Sequence, residues 1–349
     1  MTAAPLGVGL IGFGVAGRCF HAPLIAAEPR LRLTAVATSR AAEVAAAYPA
    51  AAVHADALGL IADPAVALVV VAVPNALHAP LARAALAAGK HVVVDKPFVL
   101  DPADGDALAA TARERALTLA VFHNRRWDAD FLTVRALLDR GTLGDVRDAV
   151  LAWDRFRPAI KPGWREEPGP GAGLMADLGP HLADQALALF GPPDRVTGDL
   201  AIQRDDARVD DWFAITLHYG ERRVLLAAST MTAAPRPRFA LHGTLASYVK
   251  HGIDPQEAWL RAGGAPGDTG YGIEPATAWG RLVTPDRERP VMSERGDWRR
   301  FYAGVAAAVG DGAPPPVTAA DALAGLRLLA LARRSAADGR TLDWSGQGA

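Results

Sequence analysis

The sequence predicts an α/β protein, with an N-terminal doubly wound parallel sheet followed by a second domain on a largely antiparallel sheet. Three observations predict it. Up to about residue 120, short apolar runs alternate with helical stretches, as a parallel sheet requires. Beyond about residue 140, strand candidates follow one another without regular crossover helices. At the N-terminus, the buried-strand pattern Gly7–Ile11 runs straight into Gly12-Phe13-Gly14-Val15-Ala16-Gly17, and a helical stretch follows to about Ala27.

The first half is read element by element as strands Gly7–Ile11, Leu31–Ala37, Ala52–His54, Ala67–Val73, His91–Asp95 and Thr118–Phe122. Pro74 ends the fourth strand and Lys96-Pro97 the fifth. Helices are predicted over Ala57–Ala62, over Pro80–Ala88 with Gly89 as its stop, and over Pro102–Arg115 with Asp101 as its cap. The rhythm then changes. A helix over Asp130–Arg140 stops at Gly141, Val146–Phe156 is strand-like, and the Gly/Pro-rich stretch from Lys161 to Gly173 is loop. Pro180–Phe190 is read as a helix, with Pro180 in its first turn. Strands follow over Arg195–Gln203, Trp212–Tyr219, Arg222–Thr230, Arg238–His242 and Ser247–His251. A final helix spans Ala319–Ala337, capped by Thr318 and closed by Gly339.

The chain has 349 residues, 50% hydrophobic and 21% charged, which is ample for two domains. The division is placed at 1–123 and 124–349, the last helix being free to pack back on the first domain. A formal net charge of −1 gives no bulk electrostatic case for nucleic acid or an anionic membrane. No apolar run reaches membrane-spanning length, and no secretory signal pattern opens the chain. The single cysteine, Cys19, excludes an intrachain disulfide and suits a small buried hydrophobe. A reducing, cytoplasmic setting is the expectation. Nine scattered histidines with no Cys/His spacing offer no metal site.

The glycine turn is a candidate dinucleotide site. Gly12 permits the tight turn, Gly14 lets the backbone approach a pyrophosphate, and Gly17 lets helix and strand pack closely. The plainer reading is a glycine-rich turn without a ligand. At the end of the second strand an acid would accept from the ribose 2′-OH of NAD, whereas a base accommodates a 2′-phosphate. Thr38-Ser39-Arg40 stands there, with no acid before Glu43. Ser39 and Arg40 therefore favour NADP(H), unless Arg40 is an ordinary solvated arginine.

Other strand ends carry polar groups: Pro74, Asn75 and His78 after the fourth strand and Lys96 after the fifth, all candidate cofactor contacts. Lys96 is either a surface charge or a group reaching a substrate hydroxyl or carbonyl. Farther along, Asp177 and His181 form a second constellation. With Pro180 opening a helix, His181 would lie near the positive dipole end, which favours a neutral ring ready to accept a proton. Asp177 could orient it; the alternative is a cap with a structural histidine. Hydride transfer from an alcohol needs a base and donors for the oxyanion, and these residue types supply them.

Four separated motifs resemble the Gfo/Idh/MocA oxidoreductases. They are the Gly12–Gly17 turn with His21-Ala22-Pro23, Val73-Pro74-Asn75 with His78, Asp95-Lys96-Pro97, and Asp177-Leu178-Gly179-Pro180-His181. Within that family the chain is most similar to NADP-dependent scyllo-inositol dehydrogenases. The stretches responsible are His123–Asp128 with Asp130–Thr133, Gly163-Trp164-Arg165-Glu166, Asp184–Leu187 and Tyr248–Asp254. The resemblance implies a Rossmann domain and a C-terminal α/β domain on a large open, mostly antiparallel sheet. It implies that Lys96 bonds the reacting hydroxyl beside the nicotinamide, and that His181 is the acid/base with Asp177 as partner. It further implies Arg125, Arg157 and Trp164 in the substrate pocket, and a cyclic polyol or sugar as substrate. The family's commoner Glu-Lys-Pro is Asp95-Lys96-Pro97 here. Alternatives are a non-catalytic NADP-sensing regulator and an imine or enone reductase of biliverdin-reductase type. Apolar alternate residues in Ile215–Tyr219 and Val224–Ala228 are expected on an exposed sheet face, hence a homodimer or homotetramer.

Overall fold

In the computed structural model, which describes residues 4–345, the first sheet has six parallel strands. They are β1 (Leu6–Ile11), β2 (Leu31–Ala37), β3 (Ala52–His54), β4 (Leu68–Val71), β5 (His91–Asp95) and β6 (Leu119–Phe122), in the order β3-β2-β1-β4-β5-β6. The β-branched runs of β4 and β5 are buried in a way only a sheet covered on both faces permits. Helices α1 (Ala22–Ala26), α2 (Ala41–Ala47), α3 (Ala57–Ala62), α4 (His78–Ala87) and α5 (Pro102–Glu114) connect them. Asp101 caps α5, accepting from the Ala103 N–H at 2.9 Å. The strand order reverses direction between β1 and β4, the topological switch point where ligands of such sheets bind. Two details depart from the sequence reading. The turn after the glycines widens to π geometry over Gly17–His21, and Cys19 is half-buried.

The second sheet has nine strands. Helices α6 (Ala129–Asp139) and α7 (Leu174–Phe190) accompany β7 (Val146–Asp154), β8 (Arg195–Ala201), β9 (Trp212–Tyr219), β10 (Arg222–Ser229), β11 (Phe239–Gly243) and β12 (Ser247–Lys250). Strands β13 (Gly280–Val283), β14 (Glu288–Val291) and β15 (Leu342–Asp343) complete it in the order β14-β13-β12-β11-β7-β10-β9-β8-β15. Among the described residues only β7 and β10 of this sheet pair in parallel; the other pairs are antiparallel. The fold class is therefore the one the sequence predicts.

Three further helices follow: α8 (Gln256–Arg261), α9 (Arg299–Gly310) and α10 (Ala319–Asp338). Thr318 and Asp321 start α10 with a reciprocal cap. The Asp321 N–H donates to Thr318 Oγ1 at 3.1 Å, and the Thr318 N–H to the Asp321 carboxylate at 3.0 Å. The chain forms two compact units. The first takes the residues up to Trp127 with Pro255–Tyr271 and Asp297–Leu323. The second takes Asp128–Asp254, Gly272–Gly296 and the residues from Ala324 onward. Among the described residues no helix is long and apolar enough to cross a membrane.

One expectation is corrected here. Ile215, Leu217, Val224, Leu226 and Ala228 do not face water. They join Leu151, Leu178, Leu182 and Leu328 in the core beneath α7 and α10. Alternation along a strand gives two faces but not which of them the helices cover. The opposite face of β9 carries Ala214, Thr216 and His218, all partly exposed. The expected oligomer thus loses the observation that motivated it.

The second unit also buries an ion pair. Lys250 is fully buried, its Nζ donating to the His251 carbonyl at 2.6 Å and lying 3.0 Å from Glu274 Oε1. Replacing one member of such a pair leaves an uncompensated charge. Glu274→Gln is expected to destabilise this unit by about 3–5 kcal/mol. Urea unfolding followed by tryptophan fluorescence checks it; an unchanged midpoint would overturn the expectation.

Candidate active site

The glycine turn leaves β1 at its carboxyl end. Gly12 has φ +98°, and a Cβ there would collide with the Ala72 carbonyl. A Cβ on Gly17 would collide with the Gly12 carbonyl, so helix and strand touch as closely as the motif requires. In front of Gly14 the space is open, with nothing within 4 Å of an added Cβ. A cradle of that kind fits a pyrophosphate approaching the backbone. Val15 and Ala16 border the turn with their side chains at least partly exposed. The Phe13 ring is turned inward, edge-on to Tyr48.

At the end of β2, Ser39 and Arg40 are exposed. The Arg40 N–H donates to Thr38 Oγ1 at 3.1 Å, and its guanidinium donates to Glu43 at 3.0 Å. Pro74 and Asn75 follow β4 at the surface. His78 is placed differently. Its ring is buried, with Nδ1 2.7 Å from the Pro97 carbonyl and Nε2 2.9 Å from the Val73 carbonyl. The side chain thereby ties the loop after β4 to the loop after β5. Lys96 is half-buried at the end of β5, its N–H donating to Asp95 Oδ1 at 2.8 Å.

Behind Lys96 lies a set of groups that the sequence did not single out for chemistry. His21 Nδ1 is 2.7 Å from the Tyr302 hydroxyl, and His21 Nε2 is 3.8 Å from Asp95 Oδ2. His21 also packs on Phe122. Burial pushes the Tyr302 hydroxyl well above its ordinary pKa, with the Asp95 charge adding to it. No local signal marks this set, because His21 and Tyr302 are 281 residues apart. Arg125 also belongs to the first unit. It is buried, bonded to Glu257 and stacked 5.0 Å from the centre of the Trp298 ring.

In the second unit, α7 carries the Asp–His pair, and its start needs a correction. The helix begins at Leu174, six residues before Pro180, so Pro180 is an interior residue and His181 stands two turns in. The dipole effect fades within the first turn and does not reach the ring. The earlier start is made by a distant segment. The Asp210 carbonyl accepts from the Leu174 N–H and the Asp210 carboxylate from the Met175 N–H, each at 2.7 Å. Interior Pro180 has no N–H to donate to the Ala176 carbonyl. Asp177 and His181 remain four residues apart, on one helical face.

The His181 ring is buried against Trp153 on β7, centroids 5.7 Å apart. Arg155 and Arg165 approach Asp177 at 3.6 and 3.7 Å. Arg238 lies over the Trp153 ring, 5.2 Å from its centroid, and bonds Gln185. Arg157 and Trp164 are exposed on the segment after β7, and Arg165 lies over the Trp164 ring at 4.6 Å. Glu166 is held by Arg204, which also pairs with Asp211. Among the described residues no cluster of His, Cys, Asp and Glu is arranged to hold a metal ion.

Comparison with known proteins places this architecture. Residues 6–123 match the model of an oxidoreductase family with an NAD-binding Rossmann fold, and residues 131–249 match the GFO/IDH/MocA C-terminal domain. The chain is 42% identical over 338 residues to the uncharacterized oxidoreductase YdgJ of Escherichia coli, covering 96% of this chain and 97% of that protein. It is 36% identical to the scyllo-inositol 2-dehydrogenase (NADP(+)) IolW of Bacillus subtilis, covering 96% and 95%. The solved structure of yvaA from Bacillus subtilis aligns with a TM-score of 0.95 at 35% identity, covering 99% of this chain and all of that one.

Asp95 gives the Lys96 surroundings a measurable signature. Burial pushes its carboxyl up, but His21 foremost, then His78 and Lys96, outweigh that and hold it below the usual carboxylate range. A depressed folded pKa adds stability above the unfolded pKa of about 4, and this is lost as pH falls through the folded value. Asp95→Asn is expected to lower the melting temperature at neutral pH and to shrink the loss of stability on acidification. Thermal melts from pH 7 to pH 3 check this; parent and variant curves of the same shape would overturn it.

Proposed function

The chain belongs to the GFO/IDH/MocA oxidoreductase family with an NAD(P)-binding Rossmann fold, and from that premise we propose that it is an NADP(H)-dependent dehydrogenase. On this reading it interconverts a secondary hydroxyl and a ketone on a cyclic polyol or sugar. The observation that carries the reading is the α7 pair, an aspartate and a histidine on one helical face with the histidine ring packed on Trp153. The name of one relative, scyllo-inositol 2-dehydrogenase (NADP(+)), supports both the polyol and the cofactor.

The Gly12–Gly17 backbone holds the pyrophosphate, Ser39 and Arg40 the 2′-phosphate, and Pro74 and Asn75 line the way to Lys96. His78 keeps the two loops in register. A bound nicotinamide would supply the hydride acceptor and donor for the carbon that bears the hydroxyl. Lys96 donates to the substrate oxygen and stabilises negative charge developing there. His181 takes the hydroxyl proton in the oxidative direction and returns it in the reductive one. Asp177, held by Arg155 and Arg165, orients the ring. Arg157 and Trp164 contact the substrate from the exposed segment, and Arg125 supports the pocket through Glu257.

Lys96→Ala and His181→Ala are each expected to lower kcat with NADP and a polyol panel by about 100-fold or more, with NADPH affinity largely kept. Near-parental turnover in either variant would overturn its role. NADPH binding without turnover of any polyol or sugar by the parent would instead point to a nucleotide-sensing regulator. NADPH is expected to outperform NADH, and Arg40→Ala to shrink the difference; equal use of both by the parent would overturn the cofactor assignment.

A further inference from the structure

Two arginines and one glutamate meet where the adenosine end of a dinucleotide lies on such a sheet. Arg18 follows the last glycine of the turn, its N–H donating to the Gly14 carbonyl at 2.9 Å. Arg40 stands three residues beyond the end of β2. Arg18 Nη1 donates to Glu43 Oε2 at 3.0 Å and Arg40 Nη1 to Glu43 Oε1 at 3.0 Å. Each carboxylate oxygen therefore serves one guanidinium. All three side chains are about half exposed, and neither arginine has another acidic partner among the described residues.

The charge count of this triad is unequal. Two guanidinium groups share one carboxylate, which leaves one positive charge over. A phosphate monoester carries about −1.5 to −2 at neutral pH and three acceptor oxygens, so it matches the pair better than the carboxylate does. Arginine forks favour such oxygens. The carboxylate marks the point between the forks that an anion occupies. Glu43 is also the first acid after β2. Freed from the arginines, it is the group that would accept from an unphosphorylated ribose.

We propose that Arg18 is a second ligand for the cofactor's 2′-phosphate beside Arg40, and that Glu43 occupies the seat of that phosphate in its absence. Cofactor choice is then set by competition between an internal carboxylate and the 2′-phosphate for one pair of guanidinium groups. Glu43 acts as a built-in competitor, and its removal sharpens the preference for NADP(H). The inference rests on the NADP(H) reading above and adds two residues to it.

The test is binding, without turnover. Calorimetric titration of the full chain with 2′,5′-ADP and with 5′-AMP gives a ratio of affinities that isolates the 2′-phosphate. Arg18→Ala is expected to lower the ratio about fivefold, and Glu43→Gln to raise it about threefold, the scale of exposed ion pairs. The 5′-AMP affinity reports whether each variant still folds its nucleotide site, and Arg18→Lys should keep part of the preference. If the parent shows no preference for 2′,5′-ADP, the NADP(H) reading itself fails. If the parent prefers 2′,5′-ADP and Arg40→Ala lowers that preference while Arg18→Ala and Glu43→Gln leave the ratio unmoved, only the present inference is overturned.

Discussion

The first unit depends on one point of contact: the backbone of Gly17 against the carbonyl of Gly12. No side chain fits there. Because the chain can approach so closely, the helix after β1 leaves at an angle that keeps the space before Gly14 open. The carboxyl ends of β1, β2, β4 and β5 then line up along one edge, as all-parallel strands must. Gly12, Arg40, Asn75 and Lys96 are all carried on that edge. Their placement on one edge follows from strand direction rather than from any attraction between them.

The second unit solves a different problem. Its Asp–His pair lies on a helix preceded by a Gly- and Pro-rich stretch that buries little. Ion pairs anchor that stretch where apolar packing cannot. Arg204 is almost wholly buried and holds both Glu166 and Asp211, while Arg208 reaches Glu167 at the surface. The buried member is the one expected to matter, since exposed pairs contribute about 0–1 kcal/mol. Arginine is also prominent around Trp153, where Arg155 and Arg238 both lie near the indole. Both cations are attracted to the ring against which His181 packs.

Legibility in the sequence followed the range of the cause. Strands β2, β3, β5 and β9 were read to the residue, since their apolar runs are bounded by turn residues next in the chain. Asp101 and Thr318 were legible as caps because their partners stand two or three residues away. The start of α7 was not legible, since Asp210 lies 35 residues from Met175. The core side of β9 and β10 was misassigned because alternation is symmetric with respect to face. Helix α9, whose Tyr302 completes the set around His21, was missed. Of the candidate site, the glycine turn, Lys96 and the Asp177–His181 spacing were visible as motifs. The burial of His78 and Arg125 was not, because it is decided by carbonyls and carboxylates supplied from elsewhere in the first unit.

The cap on α7 has a consequence for motion. The amide protons of Leu174 and Met175 are both donated to Asp210, so they exchange with solvent only when that segment lets go. Opening of the 203–211 loop and fraying of the helix that carries Asp177 and His181 are then one event. The rate at which the first turn of that helix loosens is then set by the 203–211 loop. Changes in that loop, neutral for the shape of the site, would retune its rigidity.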